Sequence, residues 1–286
     1  MSFNENQYFA YIKRMNNRAI PEFEGYSPEA MYNLLYYPYS PQSPLSLIKL
    51  SEEDYASIPL LNLVRHLMKT LEQNGETKLT ARGFLPQKIV FDMYAQGFYK
   101  DYLIDSGITK LAKEEDALSI NLTHILTIMT GIVKKRNNKI SLTKKGTALL
   151  DNDQSLLQLL FETFTVVFNW AYYDDYESED IGRIGFGFSL FLLGKYGAIK
   201  RSADFYADKY FKAFPDIRND YPNPGYSTRE KVTANCYKVR SFNRFLDYFG
   251  LITIETRYKN FEKFMNITKT PLFDKLIHCR NPKLIL

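Results

Sequence analysis

The chain has 286 residues, 45% of them apolar and 24% charged, a composition that fits one large or two ordinary soluble globular domains. Two cysteines, Cys236 and Cys279, are too few for a disulfide scaffold and favour a reducing compartment. The formal net charge is +5, but residues 221–286 hold 12 Lys/Arg against 5 Asp/Glu, so the basic character is concentrated near the C-terminal end.

No targeting or membrane segment is evident. The N-terminus lacks the basic start and unbroken apolar run of a signal peptide. The most apolar stretch, residues 156–173, is interrupted by Glu162 and Asn169, whereas a spanning helix needs about 20 mostly apolar residues. We therefore expect a cytoplasmic protein that makes no membrane contact.

Residues 1–56 are predicted to form an N-terminal arm that is helical and rich in proline and tyrosine. A short amphipathic helix is expected from Asn4 to Met15, and a second begins with Ser27 as N-cap and Pro28 at the first helical position. The YYPYSPQSP stretch that follows has too many prolines for a helix or a central strand. We expect it to lie extended against the rest of the protein.

We predict that residues 57–172 form a winged-helix-like domain that ends in a long helix. Apolar residues at helical spacing predict a helix from Pro59 that stops at Asn74-Gly75, followed by a short strand in KLT and a helix from Leu85. A third helix closes at Gly131, and IVKKRNNKISLT then reads as a hairpin with an Asn-Asn turn. Helix, strand, helix, helix, hairpin is the order of a winged helix-turn-helix.

The end of the chain repeats part of this pattern. The acidic run DDYESED predicts a solvated linker at residues 173–180, and residues 181–286 predict a second winged-helix-like domain. In this domain Gly250 closes a helix, a longer hairpin follows, and the ITKTPLF stretch repeats the threonine cap of LTKKGTAL. No first strand is evident between its first two helices. The predicted fold class is mainly α with small β-hairpins, arranged as tandem winged helix-turn-helix-like units.

The winged-helix order predicts where duplex DNA would bind. The third helix reads base edges in the major groove, and basic wing residues neutralise phosphates. In the first unit we expect Ser119, Asn121, Thr123, Thr127 and Thr130 to form the exposed face of that helix. The complete set of predicted DNA-binding residues is Asn121, Thr123, Thr127, Lys134, Lys135, Arg136, Lys139, Lys144, Lys145, Lys238, Arg240, Arg244, Arg257 and Lys259.

No pattern of catalytic or metal-binding residues is present. The three histidines lie on separate helical patterns without an HExxH motif, so we expect no metal site. GRIGFG has neither a preceding strand nor a following GK[ST], and neither cysteine has a partner base. We predict a protein that is not an enzyme and that uses no cofactor.

One stretch resembles a known group of proteins. LTARGFLPQKIV, at residues 79–90, is similar to an LTAKGNLP-type stretch followed by a helix in uncharacterised bacterial proteins, some labelled insertion-element passenger proteins. Arg82 stands in place of lysine and Phe84 in place of asparagine. The resemblance covers about a third of the chain. It implies a mobile-element or phage setting and no catalytic residue.

Two functions follow from these patterns. The first is a non-enzymatic protein that binds duplex DNA, for example as a regulator or accessory factor of a mobile element or phage. The alternative is a protein-interaction module, an inhibitor or adaptor that uses winged-helix surfaces to bind another protein, because fold alone does not fix function. The sequence gives no oligomeric state.

Overall fold

The computed structural model describes residues 5–225, 227–259 and 262–282. Helices dominate these residues, and the strands form small antiparallel sheets. The prediction of a mainly α protein with small β elements is therefore confirmed.

Most helices begin at a residue whose side chain or ring suits a helix start. Ser27, Thr143 and Thr270 each accept a hydrogen bond from the backbone N–H three residues later. The helices are α1 Glu5–Asn17, α2 Pro28–Tyr36, α3 Glu52–Ala56, α4 Pro59–Asn74, α5 Gln87–Ala95, α6 Tyr102–Asp105, α7 Leu118–Met129, α8 Lys144–Leu149, α9 Asp153–Glu162, α10 Phe186–Tyr196, α11 Ala203–Ala213, α12 Pro215–Asn219, α13 Arg229–Lys238 and α14 Pro271–Leu276. π-Helical turns continue α9 through Thr163–Val167 and α13 through Val239–Leu246.

Within the described residues, the strands pair in three antiparallel sheets. Their orders are β1-β8, β2-β4-β3 and β5-β7-β6. The strands are β1 Leu45–Leu47, β2 Thr77–Lys78, β3 Val133–Arg136, β4 Lys139–Leu142, β5 Arg201–Ser202, β6 Ile252–Lys259, β7 Glu262–Lys269 and β8 Ile277–Cys279.

The described residues divide into two compact units. The central unit comes from residues 49–168 and 248–250, and the terminal unit comes from residues 1–48, 169–247 and 251–286. The terminal unit thus includes both the predicted arm up to residue 48 and the predicted linker at 173–180.

The central unit is built around α7. This helix packs against α4, α5 and the strand β3, and α4 buries one apolar face that includes Leu60, Val64 and Leu67. Residues 248–250 complete the unit, where the ring of Phe249 lies 4.9 Å from that of Phe161. The β3–β4 turn has positive φ at Asn137 and Asn138, as the sequence predicts for a tight hairpin.

The LTARGFL stretch forms a closed loop between β2 and α5. The Thr80 N–H donates to the Phe84 carbonyl at 2.9 Å, and the Thr80 hydroxyl accepts from the Phe84 N–H at 3.0 Å. Thr80 therefore closes a loop and does not cap the next helix, since α5 begins at Gln87. The Asn138 side chain donates to the carbonyls of Leu79 and Thr80, which fixes the loop to the hairpin turn.

The terminal unit is rich in packed aromatic rings. Its helix α10 is buried on all sides from Phe186 to Leu193, and Tyr26 packs on Phe191 with ring centroids 4.3 Å apart. The Pro/Tyr-rich segment leads into β1, which pairs with β8, and the Arg280 guanidinium donates to the carbonyls of Gln42 and Ser43. The segment therefore lies against its own unit.

The strand β5 corrects one expectation for the terminal unit. No first strand is evident from the sequence between α10 and α11, yet Arg201 and Ser202 pair with Ile267 and Asn266. Two residues are too short to leave a periodic pattern. Apart from the short helices α6 and α12, both units therefore have the order helix, strand, helix, helix, hairpin, and their sheet orders β2-β4-β3 and β5-β7-β6 match.

Glu24 joins the N-terminal segment to α10 and α11 inside the terminal unit. Its carboxylate accepts from Lys195 Nζ at 2.8 Å, from the Tyr196 hydroxyl and from Lys209 Nζ. Burial by itself raises the pKa of Glu24, but the hydrogen bonds from Lys195, Lys209 and Tyr196 outweigh it and lower the pKa to about 2.

We expect Glu24→Gln to lower the free energy of unfolding by about 1–2 kcal/mol at pH 7, because the charged acceptor of three hydrogen bonds is lost. The carboxylate pKa falls from 4.5 to about 2 on folding, so its contribution is full above pH 4.5 and disappears as the pH drops toward 2. Urea unfolding between pH 7 and pH 2.5 should show the two proteins converging, with the exposed Glu22→Gln as control. A difference that stays constant with pH would contradict this assignment.

Candidate nucleic-acid interface

The helix of the central unit that is predicted to read DNA, α7, has no exposed polar face. The residues predicted to form one are all buried: Ser119, Asn121, Thr123, Thr127 and Thr130. Thr123 and Thr127 have an exposed fraction of 0% and Asn121 of 3%. The prediction that these side chains face DNA is therefore wrong, because α7 lies inside its unit.

The polar groups of α7 are satisfied within the protein. The hydroxyls of Thr123, Thr127 and Thr130 donate to carbonyls of the preceding helical turn, at 2.7–2.8 Å. The Asn121 amide donates to Glu114 Oε1 at 2.7 Å. Buried polar groups are tolerated when they are hydrogen-bonded, so these residues serve packing.

Glu114 is the centre of a buried polar cluster that the sequence analysis did not find. Its side chain is fully buried and accepts from the backbone N–H of Leu85, from the Asn121 amide and from His124 Nδ1, which is 3.0 Å from Oε1. The other ring nitrogen of His124, Nε2, is buried without a hydrogen-bond partner. The cluster fixes the end of the LTARGFL loop against α7.

The outer face of the β2-β4-β3 sheet carries a concentration of positive charge. Lys78 and Arg136 both pair with Lys139 in the strand register, and Lys134 lies two residues before Arg136. Cross-strand partners share a face and side chains two apart on a strand point the same way, so the four cations lie together. All four are exposed. We call Lys78, Lys134, Arg136 and Lys139 the basic face.

One carboxylate partly neutralises the basic face. Lys139 Nζ lies 2.8 Å from Glu76 Oε2, with both side chains at least half exposed. The hydrogen bond from Lys139 lowers the pKa of Glu76, and the charges of Lys134 and Arg136 contribute to the same shift. A face of four cations and one anion remains strongly positive.

The other predicted wing residues have different positions. Lys135 is a register partner of the buried Ile140 and so lies on the opposite face, with Nζ 3.5 Å from the Gly83 carbonyl. Lys145 donates to the Thr130 carbonyl at 2.9 Å, and Lys144 is exposed at the start of α8. The sequence therefore identified three of the four residues of the basic face and missed Lys78.

Three predicted DNA-binding residues of the terminal unit are bonded within that unit. Lys238 Nζ lies 2.7 Å from Asp204, and Arg244 donates to the carbonyls of Tyr172 and Tyr173. Arg240 is completely buried and donates from Nε to Asp174 at 2.6 Å. The expectation that Arg240 faces DNA is wrong, since its guanidinium has no access to solvent.

Asp174, the first residue of the acidic run, is the buried partner of Arg240. The Asp174 side chain is 1% exposed and accepts from two nitrogens of Arg240, so it is not part of a solvated linker. Tyr173 and Asp175, on either side, have positive φ of 56° and 58°. For tyrosine this left-handed conformation costs energy, which indicates that the bonds to Arg240 and Arg244 hold the backbone in place.

The second hairpin presents an exposed cation. Arg257 lies on β6 and is exposed, whereas the side chain of the predicted Lys259 falls outside the part of the chain that the structure describes. The Arg257 position is compatible with the predicted DNA contact.

The cysteine and histidine side chains are the groups that could support nucleophilic or acid–base catalysis. Burial raises the pKa of both Cys236 and Cys279 to about 12, so each thiol stays protonated at neutral pH. His66 Nε2 lies 2.6 Å from Asp92, and His278 is exposed on β8. Among the described residues, no group of three or more His, Cys, Asp or Glu side chains could hold a metal ion.

Within residues 5–225, 227–259 and 262–282, no helix combines the length and the apolar character that crossing a bilayer requires.

Part of the chain matches a known protein family. Residues 56–155 match the model of a family described as the Y4jL N-terminal domain. This stretch covers about a third of the chain and contains α4, α5, α7 and the β2-β4-β3 sheet of the central unit. No curated protein and no solved structure matches the chain.

Proposed function

We propose that both units are winged-helix-like. Each has a helix, a short strand, two longer helices with a short one between them (α6 or α12) and a hairpin. In each, the returning hairpin strand lies between its partner and the short first strand. A threonine caps the helix after each hairpin, Thr143 for α8 and Thr270 for α14. The shared order supports a tandem arrangement of one supersecondary pattern.

The function that the geometry supports best is binding of duplex DNA through the basic face. The observation that carries this proposal is the register that places Lys78, Lys134, Arg136 and Lys139 on one exposed side of a sheet. Clustered cations neutralise phosphates and release counterions, and this process supplies most of the affinity of non-specific DNA binding. A mobile-element or phage setting stays a prediction.

This mode of binding differs from base reading by a recognition helix. Sequence is read by hydrogen bonds to base edges, and the helix expected to make them, α7, is buried. The basic face offers cations that recognise phosphates. We therefore expect binding to random duplexes, with a slope of log K against log salt of about -3.6 if all four cations meet phosphates, from roughly -0.9 per contact.

A triple charge reversal tests the proposal. We expect Lys78→Glu/Lys134→Glu/Arg136→Glu to bind a random duplex at least about tenfold more weakly at low salt and to lose most of the salt dependence, because three phosphate contacts are removed. Fluorescence anisotropy with a labelled duplex across a salt series measures both quantities. The matched control is Lys49→Glu/Lys100→Glu/Lys110→Glu, which makes the same charge change at exposed positions of the same unit.

Two results would contradict the proposal. If both triple variants weaken binding equally, net charge and not the basic face determines affinity. If the wild-type protein binds no duplex at low salt, the alternative of a protein-interaction module takes precedence. The candidate surface for binding a partner protein is the exposed apolar segment with Tyr102, Leu103 and Ile108, whose side chains are 75%, 49% and 67% exposed.

A further inference from the structure

The hairpin of the terminal unit is much longer than that of the central unit. The strands β6 and β7 have eight residues each, against four in β3 and β4. The third strand, β5, pairs only with Ile267 and Asn266. The pairs beyond Thr256 and Met265 therefore belong to a two-stranded ribbon, and the side chains of Arg257, Tyr258 and Phe264 on it are exposed.

The exposed side chains on this ribbon combine aromatic rings with positive charge. Arg257 and Phe264 are register partners and share one face, and Tyr258 lies on the other face. Tyr258 is 74% exposed and Phe264 is 44% exposed. In the sequence, the stretch Arg257–Lys263 reads RYKNFEK, with three basic residues and one acidic residue.

This combination fits a partner that is anionic and also offers flat apolar surfaces. An apolar protein surface would bind the aromatic rings but not the cations, and a free phosphate would bind the cations but not the rings. Nucleic acid offers both, since bases stack on aromatic side chains while the backbone attracts Arg and Lys. Apolar side chains on strands can also enter a groove and unstack a base step.

We propose that Tyr258 and Phe264 stack on nucleic-acid bases while Arg257 contacts the adjacent backbone phosphate. This inference rests on the proposed DNA-binding function and adds a second contact of a different kind to it. The basic face contributes affinity that depends on salt, and the ribbon contributes stacking that depends little on salt.

The test is the double variant Tyr258→Ser/Phe264→Ser, measured by anisotropy on a duplex and on a single-stranded oligonucleotide of the same length. Removal of a stacked ring costs roughly tenfold in affinity. We expect about that loss for each ring that stacks, with an unchanged salt slope because no phosphate contact is removed. A loss on both probes means that the rings also reach duplex bases, and a loss on the single strand alone means that they take unpaired bases.

A second readout follows the bases themselves. A 2-aminopurine base in the bound probe should change its emission with the wild-type protein and not with the double variant. The control is Tyr32→Ser/Tyr36→Ser, which removes two exposed rings, 52% and 67% exposed, from α2 of the same unit. Tyr258→Ser alone is a further variant that the fold tolerates, since its ring is largely solvated.

The outcomes separate the inference from the function on which it rests. If the double variant binds both probes like the wild type while the basic-face variant does not, the stacking inference is wrong and the DNA-binding proposal stands. If the control loses as much affinity as the double variant, the ribbon has no special role. If the wild-type protein binds neither probe at low salt, the proposed function itself fails.

Discussion

Asp174→Ala should lower the free energy of unfolding of the terminal unit by about 3–5 kcal/mol, the cost of leaving a buried charge without its partner. Arg240 is completely buried and gives two of its nitrogens to Asp174 at 2.6 and 3.1 Å and a third to the Ile181 carbonyl. Burial by itself lowers the pKa of Arg240, and the hydrogen bond to Asp174 more than offsets this in the wild type. A guanidinium is not deprotonated in proteins even without that bond, so Arg240 stays charged in the variant.

The effect should be specific to this carboxylate. Glu177→Ala removes an exposed acidic side chain from the same run, and we expect it to change stability by no more than about 0.5 kcal/mol. The double variant Asp174→Leu/Arg240→Met should recover part of the loss, because two apolar side chains replace the ion pair without leaving a charge. Urea unfolding followed by tyrosine fluorescence gives the three midpoints. Equal midpoints for Asp174→Ala and Glu177→Ala would show that Arg240 finds another partner.

The acidic run shows why this pair escaped sequence reasoning. Five carboxylates in seven residues look like a solvated linker, and four of them, such as Glu177 and Asp180, are not part of the buried pair. The partner of the first, Arg240, follows 66 residues later on α13's π-helical extension. Composition reports the average of a segment, whereas a buried pair depends on one contact between distant positions.

The sequence predicted local elements of the fold well where local chemistry determines them. The cap at Ser27, the positive φ at Asn137 and Asn138, and the glycine stops at Gly131 and Gly250 all depend on neighbouring residues alone. The pairing of Lys78 with Lys139 across 61 positions is a register choice, and a short strand leaves no periodic signal for it. This is why the basic face could be predicted only in part.

The helix α7 shows a second limit of prediction from the sequence, which is that a polar residue type does not establish exposure. A threonine-rich helix looks like a polar face, but a threonine hydroxyl can bond to a carbonyl of its own helix and needs no water. The prediction that Asn121, Thr123 and Thr127 bind DNA assumes that the third helix of a winged helix has an exposed side. The order of the longer elements in the central unit agrees with the prediction, so the error concerns the burial of α7 and not the order of the elements.

The buried cluster around Glu114 predicts the second large effect. Glu114→Ala removes the acceptor of three buried donors, the Leu85 N–H, the Asn121 amide and His124 Nδ1. Each unsatisfied buried donor costs about 1–3 kcal/mol, and we expect a total loss of about 3–5 kcal/mol in the free energy of unfolding of the central unit. The control Glu76→Ala removes a carboxylate that is 60% exposed, and its effect on the free energy of unfolding should be much smaller, because water screens its ion pair.

Hydrogen exchange locates the effect within the unit. The Leu85 amide bonds to Glu114 and to no regular strand or helix, so its protection should disappear in Glu114→Ala while amides in the centre of α4 keep theirs as long as the unit remains folded. If Glu114→Ala unfolds at the same urea concentration as the wild type and its Leu85 amide is still protected, this N–H has another acceptor. Because Glu114 joins the loop after β2 to α7, and Lys78 lies in β2, a loosened cluster should also weaken the proposed DNA binding without altering any cation of the basic face.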